Sequence, residues 1–373
     1  MGLRYTHDHK FGEQFWRFEE FDVISPFQSG GVPGSPILTG FGAATPGLDV
    51  TPIAVEDTLG VSFKGAGPAS IDPTTGFAHR KLDDSWKAWT GDVGADWTPD
   101  RDTLLYAKYS RGYKAGGFST FTLAPDPETD LETVDAFEVG VKKTLAQQFR
   151  VNAAAFYYNY KNDQIPLNVQ NAQGLISSQL FNLKSVHITG VELEALWQPI
   201  DELRISASYA HLNAEVNNPG GCFEDTVDPD ATLPGANTSG CVNTPGAAQT
   251  QNLKGQKLPQ SPPNKVSLNA IYTWTFDPGK LSLSGTYIWK DDTYGGLFNR
   301  SYDLAPAYSQ VNVRAVWTDA SDRYNVIGYV NNVFDDEGFD GRSGALRAPG
   351  FITSNWSLLN PRTYGVELRV RFH

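Results

Sequence analysis

Three groups of side chains in this sequence have the types and spacing for chemistry. Arg111-Gly112-Tyr113-Lys114 sets cations three residues apart, and at a channel mouth such charges would draw in an anionic iron chelate. His7 and His9 lie two apart, hence on one face of a strand, where they could grip a metal as a pair. Asp335-Asp336-Glu337 with Asp340 forms an acidic loop of the kind that invites calcium. Each has a plainer reading. The first reads as a strand end where glycine relieves crowding and tyrosine marks an interface. Two histidines are not a complete site. Calcium needs six to eight oxygens, and the EF-hand spacing is absent, so a solvated loop is favoured.

Catalysis finds less support still. The carboxylate pairs Glu19-Glu20 and Asp291-Asp292 are sequence neighbours, which point apart in a strand. No nucleophile elbow, phosphate loop, dinucleotide fingerprint or zinc-protease helix occurs. The sequence reads as a non-enzyme with no cofactor and no catalytic or metal site. Glu138, Glu192, Glu194, Glu367, Arg369 and Arg371 are charges within strands; facing a wet interior they would pair across strands, whereas central arginine against lipid costs about 2–4 kcal/mol. They read as lining residues.

Cys222 and Cys241 are the only cysteines, 19 positions apart in a polar, Gly/Pro-rich stretch. A disulfide stapling that loop, hence an oxidising compartment, is the simplest reading. Two unpaired loop thiols are the alternative. Zinc would need more ligands, and no histidine lies in that loop.

The elements that would position these residues are strands. Tyr364, Val366, Leu368, Val370 and Phe372 alternate with Thr363, Gly365, Glu367, Arg369 and Arg371. The segments from Lys265 and from Leu281 repeat this period of two, and helical spacing is sustained nowhere. Twelve strands are predicted near 3–9, 86–97, 102–115, 132–145, 149–161, 181–198, 203–216, 264–276, 280–294, 307–318, 323–335 and 362–373. The connections alternate long and short, with long ones at 10–85, 162–180, 217–263, 295–306 and 336–361. Such an antiparallel meander with two unlike ends is what membrane barrels show. Trp97, Trp197, Trp274, Trp317 and Phe372 fall at the short-turn end; Trp86, Trp89, Tyr113, Tyr158, Tyr160, Trp289 and Phe334 fall at the long-loop end. Two aromatic girdles at a lipid–water boundary are therefore expected.

Composition agrees. The 373 residues include 36 Gly and 23 Pro, too many for a helix-rich protein, and the net charge of −12 disfavours a nucleic-acid groove. No apolar run is long enough for a membrane helix. Met1-Gly2-Leu3-Arg4-Tyr5 reads as a strand in progress, so an earlier start is expected for an exported protein.

The stretch from Leu105 to Phe118, with Tyr109, Ser110, Arg111, Gly112 and Tyr113 at its centre, resembles a strand-and-loop signature of TonB-dependent outer-membrane receptors. Ala136-Phe137-Glu138-Val139-Gly140-Val141-Lys142, Ala155-Phe156-Tyr157-Tyr158-Asn159-Tyr160 and Gly190-Val191-Glu192-Leu193-Glu194 resemble the strands that follow in that family. Asn331-Asn332-Val333-Phe334-Asp335 resembles its Asn-Leu-Phe-Asp element, and the run from Pro361 through Tyr364 and Gly365 to Leu368 its closing strand. The family usually finishes on an aromatic residue; here Phe372 is followed by His373.

The resemblance implies an all-β, antiparallel transmembrane barrel meander, with about 12 strands here of about 22 in the family. Residues 1–373 would form one partial barrel domain, with long outer loops 10–85 and 217–263 and without the plug, partner-contacting box or signal peptide. The implied partners are outer-membrane lipid, the TonB-ExbB-ExbD energy-coupling complex, the barrel assembly machinery and a small ligand such as a ferric siderophore. Vitamin, carbohydrate or aromatic cargo stays open. The rivals are a passive pore or loop-presenting barrel closed by strand 3–9 against 362–373, a remnant without function, and a secreted carbohydrate-binding sandwich.

Overall fold

The computed structural model describes residues 1–18, 49–119, 126–170, 176–244, 248–348 and 351–372. Twelve long strands follow one another in a single sheet, each antiparallel to the next: β1 (Gly2–Trp16), β2 (Ala78–Asp100), β3 (Thr103–Lys114), β4 (Glu132–Leu145), β5 (Phe149–Gln170), β6 (Ile176–Ile200), β7 (Leu203–Asn218), β8 (Asn264–Phe276), β9 (Gly279–Lys290), β10 (Tyr308–Asp319), β11 (Tyr324–Asn331) and β12 (Thr363–Val370). A two-residue strand, Ser70–Ile71, adds to the side of β2. The meander follows from the short turns at one end, which allow only antiparallel neighbours. At the β8–β9 turn Gly279 takes a φ of 151°, and a Cβ there would collide with the Thr318 carbonyl. The described helices are one α-turn, Thr51–Ala54, and two 3-10 turns, and none is long and apolar enough to cross a membrane.

Period-two alternation gives the sheet two unlike faces. One carries Trp89, Val93 and Trp97 of β2, Phe137 and Val139 of β4, Val191, Leu193 and Trp197 of β6, and Tyr364, Val366 and Leu368 of β12, all exposed. Trp97 is 65% exposed and Tyr364 80%, values that a water-soluble sandwich would not leave on one continuous face. Trp89 and Trp97 stand eight residues apart on β2, about 26 Å of strand before tilt, close to the ~25 Å apolar band of membrane barrels. Glu138, Glu192, Glu194, Glu367 and Arg369 alternate with these residues and therefore occupy the opposite, inner face.

Several boundaries differ from the sequence expectation. Strand β1 runs to Trp16 rather than to position 9, pairing residue by residue with β2 down to Trp16↔Ala78. Strands β5 and β6 continue to Gln170↔Ile176 through what reads as a loop at 162–180. The region 336–361 contains a hairpin, Phe339–Ala348 with Phe351–Leu358. The cause is common to all three. Above the apolar band neither face needs to be greasy, so the alternation that marks a strand in sequence fades while backbone pairing goes on. Asn162, at a φ of 55°, also interrupts the face pattern of β5. Beyond it Ile165 and Leu167 pack on a buried cluster of Leu183, Val186, Val216, Leu253 and Leu297.

The girdle at the long-loop end is also corrected. Trp89 lies on the outer face, but Trp86 is 4% exposed and packs inward against Phe118. Two residues three apart in a strand cannot share a face. Tyr158 stacks on Phe156 on the inner face, and Tyr160 packs on the buried cluster. Strands β1 and β12 stand at opposite ends of the sheet order, with no pairing between them among the described residues, contrary to a small closed barrel.

Candidate functional site

The inner face is a sheet of polar side chains held by cross-strand hydrogen bonds. The Tyr106 hydroxyl donates to Glu138 at 2.7 Å, the Asn269 amide to Thr286 Oγ1 at 2.7 Å and the Asn152 amide to Glu194 at 3.3 Å. Thr273 and Ser282 hydroxyls meet at 2.9 Å. Two recesses open on this face. One, of about 360 Å³, is lined by Arg150, Asn152, Glu194, Ser206, Ser208 and Ser267; the other, of about 250 Å³, by Ser284, Thr286, Asn312, Arg314, Tyr329 and Glu367. Such a wall can hydrogen-bond a passing solute.

Above it the long connections pack on one another. Connection 219–263 is stapled by the Cys222–Cys241 disulfide, with Cα atoms 5.8 Å apart. From the connection 291–307, Arg300 enters it and is 1% exposed. Its Nε lies 3.5 Å from Asp225 Oδ2, its Nη2 lies 3.5 Å from Asp228 Oδ2, its Nη1 donates to the Pro234 carbonyl at 3.3 Å, and it also donates to Gln251. Asp228, fully buried, accepts the backbone N–H groups of Thr232 and Leu233 at 3.0 and 3.1 Å. A buried arginine is tolerated only when its donors are met in this way. Beside it Glu224 is raised above its ordinary value by burial and then by the neighbouring Asp225. A second contact joins earlier loops, where Lys64 reaches Glu128 at 2.6 Å and Asp130 at 2.5 Å.

The residues singled out in sequence are distributed differently. The Tyr109 hydroxyl donates to Asp135 at 2.7 Å, with Arg111 3.5 Å from the same carboxylate, so this cation is already partnered. Tyr113 donates to Asp8. Ser110 sits opposite Asp92 and Ala136, and a Cβ on Gly112 would lie 3.2 Å from Val134. Asn332, 2% exposed, donates its amide to the Asp336 and Asn360 carbonyls and accepts the Asp336 N–H. Asp335 accepts the Arg362 N–H at 2.7 Å. Together they clasp the end of β11 to the start of β12, and of the carboxylates read as an acidic loop the clasp uses that of Asp335. Gly365 lies beneath the Tyr329 ring, while Phe334, Tyr364 and Phe372 are exposed. The signature residues thus build the wall rather than meet in one site.

His9 Nε2 donates to Asp83 Oδ1 at 3.0 Å, and no cluster of three metal-ligating side chains exists among the described residues. Asn264 donates to Asp291 at 2.9 Å. Glu19, Glu20, the Asp340 side chain and His373 lie outside what the structure describes. Sequence reasoning missed Arg300, Asp225, Asp228 and Gln251. Their contacts span 49 to 75 positions of chain, and a lone arginine in a polar loop carries no periodic signal.

A family model described as "TonB dependent receptor-like, beta-barrel" matches residues 1–333. No curated protein matches the sequence significantly. Among solved structures, the chain is similar to the ferric yersiniabactin uptake receptor FyuA from Yersinia pestis, at 18% identity and a TM-score of 0.60, covering 80% of this chain and 40% of that one. It is similar to the siderophore receptor PiuA from Acinetobacter baumannii at 16% identity and 0.56, covering 78% and 37%. For the copper transporter OprC the values are 13% and 0.57, covering 78% and 40%. At these identities the likeness shows the fold. The chain spans about 40% of the length of these structures.

Proposed function

Because this chain belongs to the TonB-dependent receptor-like β-barrel family, we propose that it is barrel wall of an outer-membrane receptor for energy-coupled uptake of a scarce nutrient. The family consists of receptors and transporters in outer-membrane barrels rather than enzymes. Ferric siderophore is the cargo this reading favours, supported by the yersiniabactin and siderophore receptors among its structural relatives. The observation that carries the reading is the two-faced sheet: an exposed apolar face set between aromatic rows, a polar face behind it, and long connections at one end only. In this reading residues 1–373 form a single wall domain. The long connections are its outer gate, and its signature residues from Tyr109 to Tyr113 shape the strand end below that gate. Its partners are outer-membrane lipid, the barrel assembly machinery and, by family likeness, the TonB-ExbB-ExbD complex.

The test is uptake of radioiron-loaded hydroxamate, catecholate and carboxylate chelates by iron-starved cells with and without the intact gene. Loss of uptake for one chelate class in the deletion, restored by the gene and abolished by collapsing the proton-motive force, supports the reading. Uptake unaffected by that collapse, or ion conductance by the purified chain alone in planar bilayers, favours a passive pore instead.

A further inference from the structure

The inner face is not uniform around the sheet. Over β3–β6 it is tiled with rings laid on glycines: Tyr106 covers Gly140 and Phe156 covers Gly190, each so closely that a Cβ on the glycine would collide with the ring. Phe156 and Tyr158 stack with centroids 4.8 Å apart. Over β11–β12, Tyr329 covers Gly365 in the same way. Between these tiled stretches the wall is low. Register places Ser206 opposite Asn269, Asn269 opposite Thr286 and Thr286 opposite Asn312, a single row across β7, β8, β9 and β10. Ser208 opposite Ser267 extends it. Three spacings of about 4.8 Å make this strip roughly 14 Å wide.

Its flanks are the two recesses, each holding one arginine and one glutamate: Arg150 with Glu194, and Arg314 with Glu367. Short hydroxyl and amide groups leave room for water against the wall and exchange hydrogen bonds with a solute at little desolvation cost. Rings laid flat over the glycines cover the backbone with apolar surface and offer little of either. The balanced flanks supply donors and acceptors without a net charge.

We propose that this strip over β7–β10 is the wetted lane along which cargo moves, and that it favours hydroxyl-rich, weakly charged solutes over apolar ones. The inference rests on the transport reading but assigns it a place on the wall and a chemical preference.

The native cysteines are joined to each other, so a new thiol would be the only free one in this chain. The full-length protein in the outer membrane of energised cells is prepared as S208C, S267C and S284C in the strip, and as A136C and A154C on the tiled wall. Each is reacted with two maleimides of equal length, one bearing glucose and one bearing benzyl. Because thiol reactivity follows access, the glucose reagent is expected to modify the strip positions at least about ten-fold faster than the tiled ones, and faster than the benzyl reagent does. Equal or reversed rates overturn the lane. Repeating the reaction in cells with the proton-motive force collapsed separates the two claims. An advantage that vanishes on collapse supports both; one that persists upholds the lane and counts against energy-coupled gating.

Discussion

Arg300 crosses from one long connection into the one before it and sets its Nη2 3.5 Å from Asp228 Oδ2, both side chains closed off from water. That pair, with Asp225 and the disulfide, makes connections 219–263 and 291–307 one packed body. A loop that must open cannot also bury an arginine, because exposing one half of the pair strands the other.

Breaking this contact has a defined cost. Arg300→Met takes the guanidinium away from two buried carboxylates, and removal of one partner of a buried pair costs about 3–5 kcal/mol. Hydrogen exchange should rise by orders of magnitude across 222–252 while β8 and β9 keep their protection. Unchanged exchange in that loop would refute the packed-body description.

Reduction of Cys222–Cys241 should act on the same body. A closed loop of this length contributes about 3 kcal/mol if chain entropy is the mechanism. Trypsin should then cut at Lys254 or Lys257, with the heat-resistant electrophoretic band of the folded sheet intact. Cooperative loss of that band on reduction counts against a purely local role.

The packed body of connections 219–263 and 291–307, here called the cap, should respond to pH through Glu224. Its folded pKa is raised by burial and by Asp225, so the folded cap holds this proton more tightly than the unfolded loop. Its unfavourable contribution is absent below the ordinary glutamate range, grows as pH rises through the folded value, and stays constant above it. Glu224→Gln should make the cap more protected at neutral pH and flatten this dependence, read by hydrogen exchange corrected for intrinsic rate. A Gln variant with the same pH slope would assign the slope elsewhere.

The two faces of the sheet, at Val139 of β4 and Ser208 of β7, should answer oppositely to one substitution. Val139 is 55% exposed on the apolar face, and arginine there costs about 2–4 kcal/mol near the bilayer centre. Val139→Arg should lower the yield of assembled protein in outer-membrane fractions. Arginine at inner-face Ser208 should not. Equal yields would mean that the apolar face does not meet lipid.

The clasp predicts a defect in the last strand. Asn332→Ala removes its hydrogen bonds to the Asp336 N–H and the Asn360 carbonyl, a loss of about 0.5–1.5 kcal/mol for each bond. Protease sensitivity should appear between β11 and β12 first. If Asn332→Ala is as resistant as the parent, those bonds do not hold β12.

The strand order and the facing of the mid-strand side chains were legible in residue order alone, because alternation of two is enforced locally wherever one face meets an apolar medium. Trp97, Val139 and Leu368 declare themselves that way, and so do Glu138 and Glu367 between them. Where that medium ends, the signal ends. Nothing in Lys10–Trp16 or Ile165–Gln170 says strand, yet backbone pairing with Ala78–Asp84 and Ile176–Phe181 carries both onward. Trp86 and Tyr158 likewise turned inward because the outward positions beside them belong to other residues. Only the tertiary structure could bring Arg300 to Asp228 or lay Tyr106 over Gly140, since such contacts depend on strands and loops meeting across long stretches of chain, and no local spacing encodes them.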